Sequence, residues 1–311
     1  MGIKNKRGMI FTIMVIALLS FFLVAYSGYE IIKDRKPLEK RIETLNSFVD
    51  SVESDLSRHL FISGYRTIFV LQQYTLDNHE YITDLNSSIE EIFFNGTLYG
   101  EQKSLMDDGK FSDIAESLNS NAEKISTQVT LDNPQIIMFQ DDPWNVKFNM
   151  TVSLKIKDIG NLAEWNKNET FSATIPIATF IDPIYHVETS GKIVNEITTS
   201  PYSNFVSGSN YSNLTNHFQN SYYISSIFAP SFLNRLAGNL SESEFGIESI
   251  VYPQNLVNMG ISVKYKSLID YIYFSDDNFQ NYEVPPISNL ILDNQSNHLE
   301  IYNLSAIATP I

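Results

Sequence analysis

Residues 9–29, MIFTIMVIALLSFFLVAYSGY, run for 21 positions without a charge, directly behind the basic octapeptide MGIKNKRG. At about 1.5 Å of rise per residue, a helix of that length crosses a hydrocarbon core of about 30 Å. A cleaved secretory signal has an apolar core of about 7–15 residues and a small-residue cleavage site. Here the run is longer, and Ala25-Tyr26-Ser27-Gly28 is a mediocre site, so a retained transmembrane helix is expected. The rest of the 311-residue chain is polar enough to be soluble. The organisation that follows is one anchor carrying one large displayed domain.

Charge is divided along the chain. Residues 1–41 hold eight Lys/Arg and three Asp/Glu, and the remainder holds 13 Lys/Arg against 33 Asp/Glu. So acidic a domain repels nucleic acid, which excludes that class of partner. The basic neck suits lipid phosphates instead, and the lipid bilayer is the first expected partner. Lys4, Lys6 and Arg7 precede the span and Lys33, Arg35, Lys36, Lys40 and Arg41 follow it, so basic residues alone do not orient it. Nine N-x-S/T sequons do more: Asn86, Asn95, Asn149, Asn168, Asn210, Asn213, Asn239, Asn294 and Asn303. They are about twice as many as chance gives so Asn-rich a chain; used as glycosylation sites they place their loops on the surface of an exported domain, the alternative being an Asn/Ser-rich composition that carries no glycan. The absence of cysteine removes thiolate catalysis and Cys-type metal centres and leaves the domain to be held by its own core.

Beyond the span the helical period continues. Leu38, Ile42, Leu45, Val49, Val52 and Leu56 step by four and three, a packing seam of nearly three heptads with charges on its flanks. That seam fits a coiled coil with a neighbour as well as packing against the protein's own domain. Pro37 is expected to kink or restart the helix. Residues 60–74 read as a buried helix of the soluble part, too short and interrupted to span. Further helices are expected at 84–94 and 112–126, the second with Ser112 as N-cap.

Near Asn133-Pro134 the period changes to two. Val146, Phe148, Met150, Val152, Leu154 and Ile156 are apolar at alternate positions, which predicts a strand with one buried face. Phe171–Ile177 repeats the pattern with a Pro176 interruption, and strand-like runs lie near 184–188, 192–198, 261–265, 269–274 and 287–293. The expected fold is therefore α+β. It comprises a leader at 1–8, the transmembrane helix at 9–29, a helical stalk and cap at 30–130, and a β-rich, antiparallel, sandwich-like extracellular domain at 131–311.

Residues that carry chemistry are sparse. His59, His79, His186, His217 and His298 are scattered, with no pair at ligand spacing, and His59 falls among the seam residues. No nucleophile elbow, zinc-protease helix or phosphate loop is present. The doublets Asp107-Asp108, Asp141-Asp142 and Asp276-Asp277 lack the full spacing of a calcium loop. No catalytic residue, metal or cofactor is expected. Tyr202, Tyr211, Tyr222 and Tyr223, set among Ser and Asn, have the composition of adaptable contact surface.

The N-terminus resembles an archaeal type IV pilin-type signal: Lys6-Arg7-Gly8 ends the basic stretch and the apolar helix begins at Met9. The resemblance implies cleavage after Gly8 on the cytoplasmic side, a helix retained as a filament core and a β-rich head facing outward. It departs from the family where many pilins carry a Glu five residues into the mature helix and this chain has Ile13. The ectodomain is also larger than that of a typical major pilin. Segments 181–197 and 229–251 are similar to an uncharacterised group of archaeal single-pass surface proteins, which implies no activity. The expected function is a non-enzymatic, glycosylated cell-surface protein of the cell membrane. Its N-terminal helix self-associates or meets other envelope proteins, and its head makes adhesive contacts. The alternatives are a membrane-tethered binding or hydrolytic ectodomain and an accessory subunit of a membrane complex.

Overall fold

The apolar run and the seam above it belong to one helix, α1 (Lys4–Asn78), 75 residues long. The structure is a computed structural model that describes residues 4–274 and 279–311. Pro37 lies within α1 without ending it. Within α1, Gly8–Tyr29 has a mean hydropathy of 2.6 and is 0% buried, a stretch long and apolar enough to cross a membrane.

The seam resolves into two parts. Leu45, Val49, Val52 and Leu56 are buried in the protein's own core, whereas Leu38 and Ile42 are 46% and 45% exposed. The stretch 60–74 is the last part of this same helix, with Leu60, Ile68 and Leu71 inward and Phe61, Tyr65 and Phe69 partly exposed. At Gly64, α1 packs close against the sheet. A Cβ there would lie 2.8 Å from Ile175 Cδ1 and 2.9 Å from the Phe148 ring.

After α1 come α2 (Leu85–Asn95) and a two-residue ladder of β1 (Thr97–Leu98) with β2 (Glu101–Gln102). Asp84 caps α2 by accepting from Ser87 N at 3.1 Å. In α3 (Phe111–Glu123) the N-cap is Lys110, and Ser112 sits inside the helix. Asp113 is the reason: its carboxylate accepts from Lys110 N at 3.1 Å and so fixes the start two residues before Ser112.

Then β3 (Thr127–Asp142), β4 (Asn145–Asp158) and β5 (Glu164–Pro176) form an antiparallel meander with β4 central. Phe148 stands opposite Met138 and Ala173, so the even positions of β4 share one buried face, as the alternation requires. α1 lies across β5 and β4, and α2 and α3 lie across β3. Helices, rather than a second sheet, cover the face that a sandwich would have paired.

Past Pro176 the elements are short. The run at 184–188 is a helix, α4 (Pro183–Glu188), because Asp182 caps Ile184 N at 2.9 Å and Pro183 occupies its first turn. Next come α5 (Ser212–Gln219), β6 (Tyr223–Ser225), α6 (Phe232–Leu236), β7 (Ile247–Ser249) and α7 (Pro253–Asn258). β8 (Asn281–Glu283), β9 (Ile291–Asp293), α8 (His298–Ile301) and β10 (Thr309–Pro310) complete the chain. β6 pairs with β7, and β8 lies between β9 and β10.

The strand expected at 192–198 supplies single bridges such as Ile181 to Glu196, and 261–265 carries no strand. The run at 287–293 keeps only β9. Residues Asp270–Phe274 form a tight turn with φ between 32° and 60° at five consecutive positions. Left-handed backbone costs about 1–2 kcal/mol per residue. Here it is held by bonds such as Ile272 N to Ile269 O, 2.7 Å, and Lys264 N to the Tyr271 hydroxyl, 2.5 Å. Despite these differences one contiguous core runs from Val49 on α1 to Leu304.

Candidate functional site

The second half of the head is organised around a cation that no periodicity announces. α6 places Arg235 where its side chain is 0% exposed. Nη1 donates to Asp182 Oδ2 at 2.6 Å, Nη2 donates to Asp270 and to the Ile247 carbonyl, and Nε reaches the Pro230 carbonyl at 3.3 Å. The Tyr223 hydroxyl donates to Asp182 Oδ2 at 2.8 Å, and Asp270 Oδ1 accepts from Ser249 N and Oγ at 2.6 and 2.9 Å. Burial alone would lower the guanidinium's pKa, but the carboxylates of Asp182 and Asp270 hold it charged. Burial, aided by the charge of Asp182 and opposed by Arg235, pushes Asp270 up to about 6.

Next to this cluster, His298 Nδ1 lies 2.8 Å from Asp293 Oδ1 and Nε2 lies 3.6 Å from Glu248. Burial works to lower the imidazole pKa. The hydrogen bonds and charges of Asp293 and Glu248 prevail and raise it to about 10. A cavity of about 250 Å³ opens beside these groups, lined by Glu248, Asp270, Tyr273, Asp293 and His298 among others. The arrangement is poorly suited to acid–base work. An imidazolium with both nitrogens turned to carboxylates has no lone pair to accept a proton at pH 7. Both Asp270 oxygens are already engaged, and Glu248 accepts from the Tyr302 hydroxyl at 3.1 Å. The network ties the start of α4 to α6, β7, β9 and α8 through buried hydrogen-bonded groups.

Two histidines far apart in sequence do meet. His79, at the end of α1, brings Nδ1 to 3.0 Å from Nε2 of His186 on α4, and the same Nε2 is 3.0 Å from the Leu76 carbonyl. They are 107 positions apart, so spacing gave no sign of the pair. Gly191, with φ +80°, lets the His79 ring pass, since a Cβ there would lie 2.3 Å from Cε1. His59 is half-buried on α1. Among the described residues no group of three or more His, Asp or Glu is placed to hold a metal ion.

A cleft of about 520 Å³ lies between α5, α7 and residues 263–268 and 286–291. Rings of Phe218, Tyr252 and Tyr265 and amides of Gln219, Gln254 and Asn289 line it. Lys264 also lines it, and its described lining has no carboxylate and no imidazole.

Of the residues marked by sequence, Gly8 and Met9 are exposed on α1, and Thr12 Oγ1 donates to the Gly8 carbonyl at 2.8 Å. Eight sequon asparagines are exposed and Asn149 is half-buried; none lies on α1. Asn149 and Asn168 share the wet face of β4 and β5, where their sequon partners Thr151 and Thr170 face each other at 2.8 Å. Tyr202, Tyr211 and Tyr222 are half-buried, whereas Tyr223 belongs to the Arg235 network. Asp141 pairs with Lys147, and Asp142 accepts from Trp144 N at 2.8 Å. Asp276-Asp277 lies outside the described residues. Compared with protein-family models, with curated proteins and with solved structures, the chain matches none.

Proposed function

We propose that the chain is a non-enzymatic, glycosylated surface subunit of pilin-like plan. Its N-terminal helix anchors it in the cell membrane and is available for assembly, and its head makes contacts outside the cell. The observation that carries this reading is the continuity of α1. One helix has a fully exposed apolar first part at Gly8–Tyr29 and becomes the spine of the head from Leu45 onward. A cleavable targeting segment gains nothing from being continuous with the folded core, whereas an anchor or filament helix transmits position through it. The absence of sequons from α1 supports the same division, since glycans on the head leave the helix free to pack.

Fractionation of native membranes tests this. The chain is expected to resist alkaline carbonate extraction, to shift in mobility on deglycosylation, and to appear in sheared surface filaments seen by electron microscopy. Release by carbonate would contradict anchoring, and confinement to the membrane fraction would remove the filament role.

A second reading, a membrane-tethered binding module, draws on the 520 Å³ cleft. On that reading, Tyr265→Ala in the full chain abolishes capture of envelope material without changing membrane association.

A further inference from the structure

The 520 Å³ cleft beside α5 and α7 shares no lining residue with the Arg235–His298 network, and its floor and rim differ in chemistry. The floor is apolar. Leu268, Ile287 and Ile291 are buried, and the buried ring of Phe218 meets Tyr252 edge to face with centroids 5.1 Å apart. The rim is polar and open to water. Gln219, Gln254 and Asn289 are exposed, and Tyr265 on the same lining is 62% exposed. Among the described residues the amides of Gln219 and Asn289 have no hydrogen-bond partner, and Gln254 Nε2 donates to Asn258 Oδ1 at 2.8 Å and leaves its carbonyl open. Asn289 holds φ 63° in the turn 287–290, which Leu290 N closes on the Ile287 carbonyl at 3.3 Å.

We infer that this cleft binds a neutral oligosaccharide. The inference deepens the binding-module reading above and rests on it. Charge narrows the ligand first. Beyond residue 41 the chain holds 33 Asp/Glu against 13 Lys/Arg, a field that repels an anionic polymer, and Lys264 is a single cation against it. A cationic ligand finds no carboxylate in the described lining.

Among neutral ligands the rim decides. A purely apolar molecule would strip water from the amides and return no hydrogen bond, at a cost of about 1–3 kcal/mol for each group. A proline-rich peptide packs on tyrosine rings but offers mainly carbonyls, which leaves the Gln254 carbonyl without a donor. A sugar ring meets both surfaces. Its C–H face lies on aromatic and aliphatic groups, and its hydroxyls donate and accept, as side-chain amides do. The volume suits such a ligand, since small-molecule clefts measure about 300–1,000 Å³.

The full chain, held in a zwitterionic detergent so that no detergent sugar competes, is titrated calorimetrically with maltotetraose, cellotetraose and mannotetraose. Tetragalacturonate and decaproline serve as the anionic and peptide probes. At least one neutral tetrasaccharide should bind saturably, with an affinity that added salt leaves unchanged. Tyr265→Ala and Gln219→Ala should each weaken that binding severalfold with urea midpoints unaltered, and Tyr265→Phe should retain it. No binding of any neutral probe, or equal binding by Tyr265→Ala and Gln219→Ala, overturns the inference. Preference for tetragalacturonate or decaproline overturns it too and assigns the cleft to an anion or a peptide. Capture of envelope material that depends on Tyr265 but that no saccharide competes for leaves the binding module standing without this ligand. Absence of any such capture removes both.

Discussion

The two halves of the head reach stability by different means. The first is built from long regular elements: α1 with 75 residues and the strands β3, β4 and β5 with 16, 14 and 13. Its core is aliphatic and aromatic, and its ionic ties include Arg41 to the buried Asp158 at the lower end of the sheet and the more exposed pair Lys167 to Glu53. The second half, past Pro176, is made of helices and strands of two to eight residues. Strands this short are marginal on their own. They are gathered around buried Arg235, Asp182, Asp270, Glu248, His298 and Asp293. Where secondary structure is long, periodic apolar packing specifies the fold; where it is short, buried hydrogen-bonded charges take over that work.

The largest effect should come from removing the cation. Arg235→Leu leaves Asp182 and Asp270 buried with uncompensated charge, a loss of about 3–5 kcal/mol. Hydrogen exchange should show protection lost across residues 182–302 while amides of β4 stay protected. Uniform loss would erase the distinction between the halves. In the first half the corresponding weak point is steric. Gly64→Ala gains about 1 kcal/mol of helix propensity but costs about 1–3 kcal/mol in overpacking against Ile175 and Phe148, so urea denaturation should show a small net loss. Gly64→Leu should cost more.

The ionic half should also respond to pH. The folded pKa of His298, about 10, lies above the unfolded value of about 6.5. Its stabilisation is therefore complete below pH 6.5 and is lost as pH rises toward 10, with a slope of at most about 1.4 kcal/mol per pH unit. His298→Gln should flatten that slope in denaturation curves measured between pH 7 and 10. The smallest effect belongs to the rim: Glu53→Gln removes an exposed pair with Lys167 and should cost under about 1 kcal/mol.

The same contrast explains what was legible in the sequence. β4 was readable because six alternating apolar residues all face α1 and its neighbouring helices, so pattern and burial coincide. The seam was readable as a line but not in its partner: Leu45 to Leu56 pack on the protein's own core, while Leu38 and Ile42 do not. Runs of five or six residues such as 184–188 fit either period, and the Asp182-Pro183 start decided for a helix. The left-handed turn at 270–274 depends on bonds to Leu268, Ile269 and Lys264 that no local pattern reveals. Arg235 had one available sign, a lone cation in the apolar run FLNRL without an acid at helical spacing. The His79–His186 pair had none, because only the fold brings positions 107 apart together.

The retention of residues 9–29 in the mature protein is tested most directly by the intact mass of the chain extracted from native membranes. A pilin-like subunit, its leader removed and α1 kept as anchor and spine, gives a mature chain beginning at Met9. A chain beginning near Tyr29 would make the apolar stretch a discarded signal and contradict that reading.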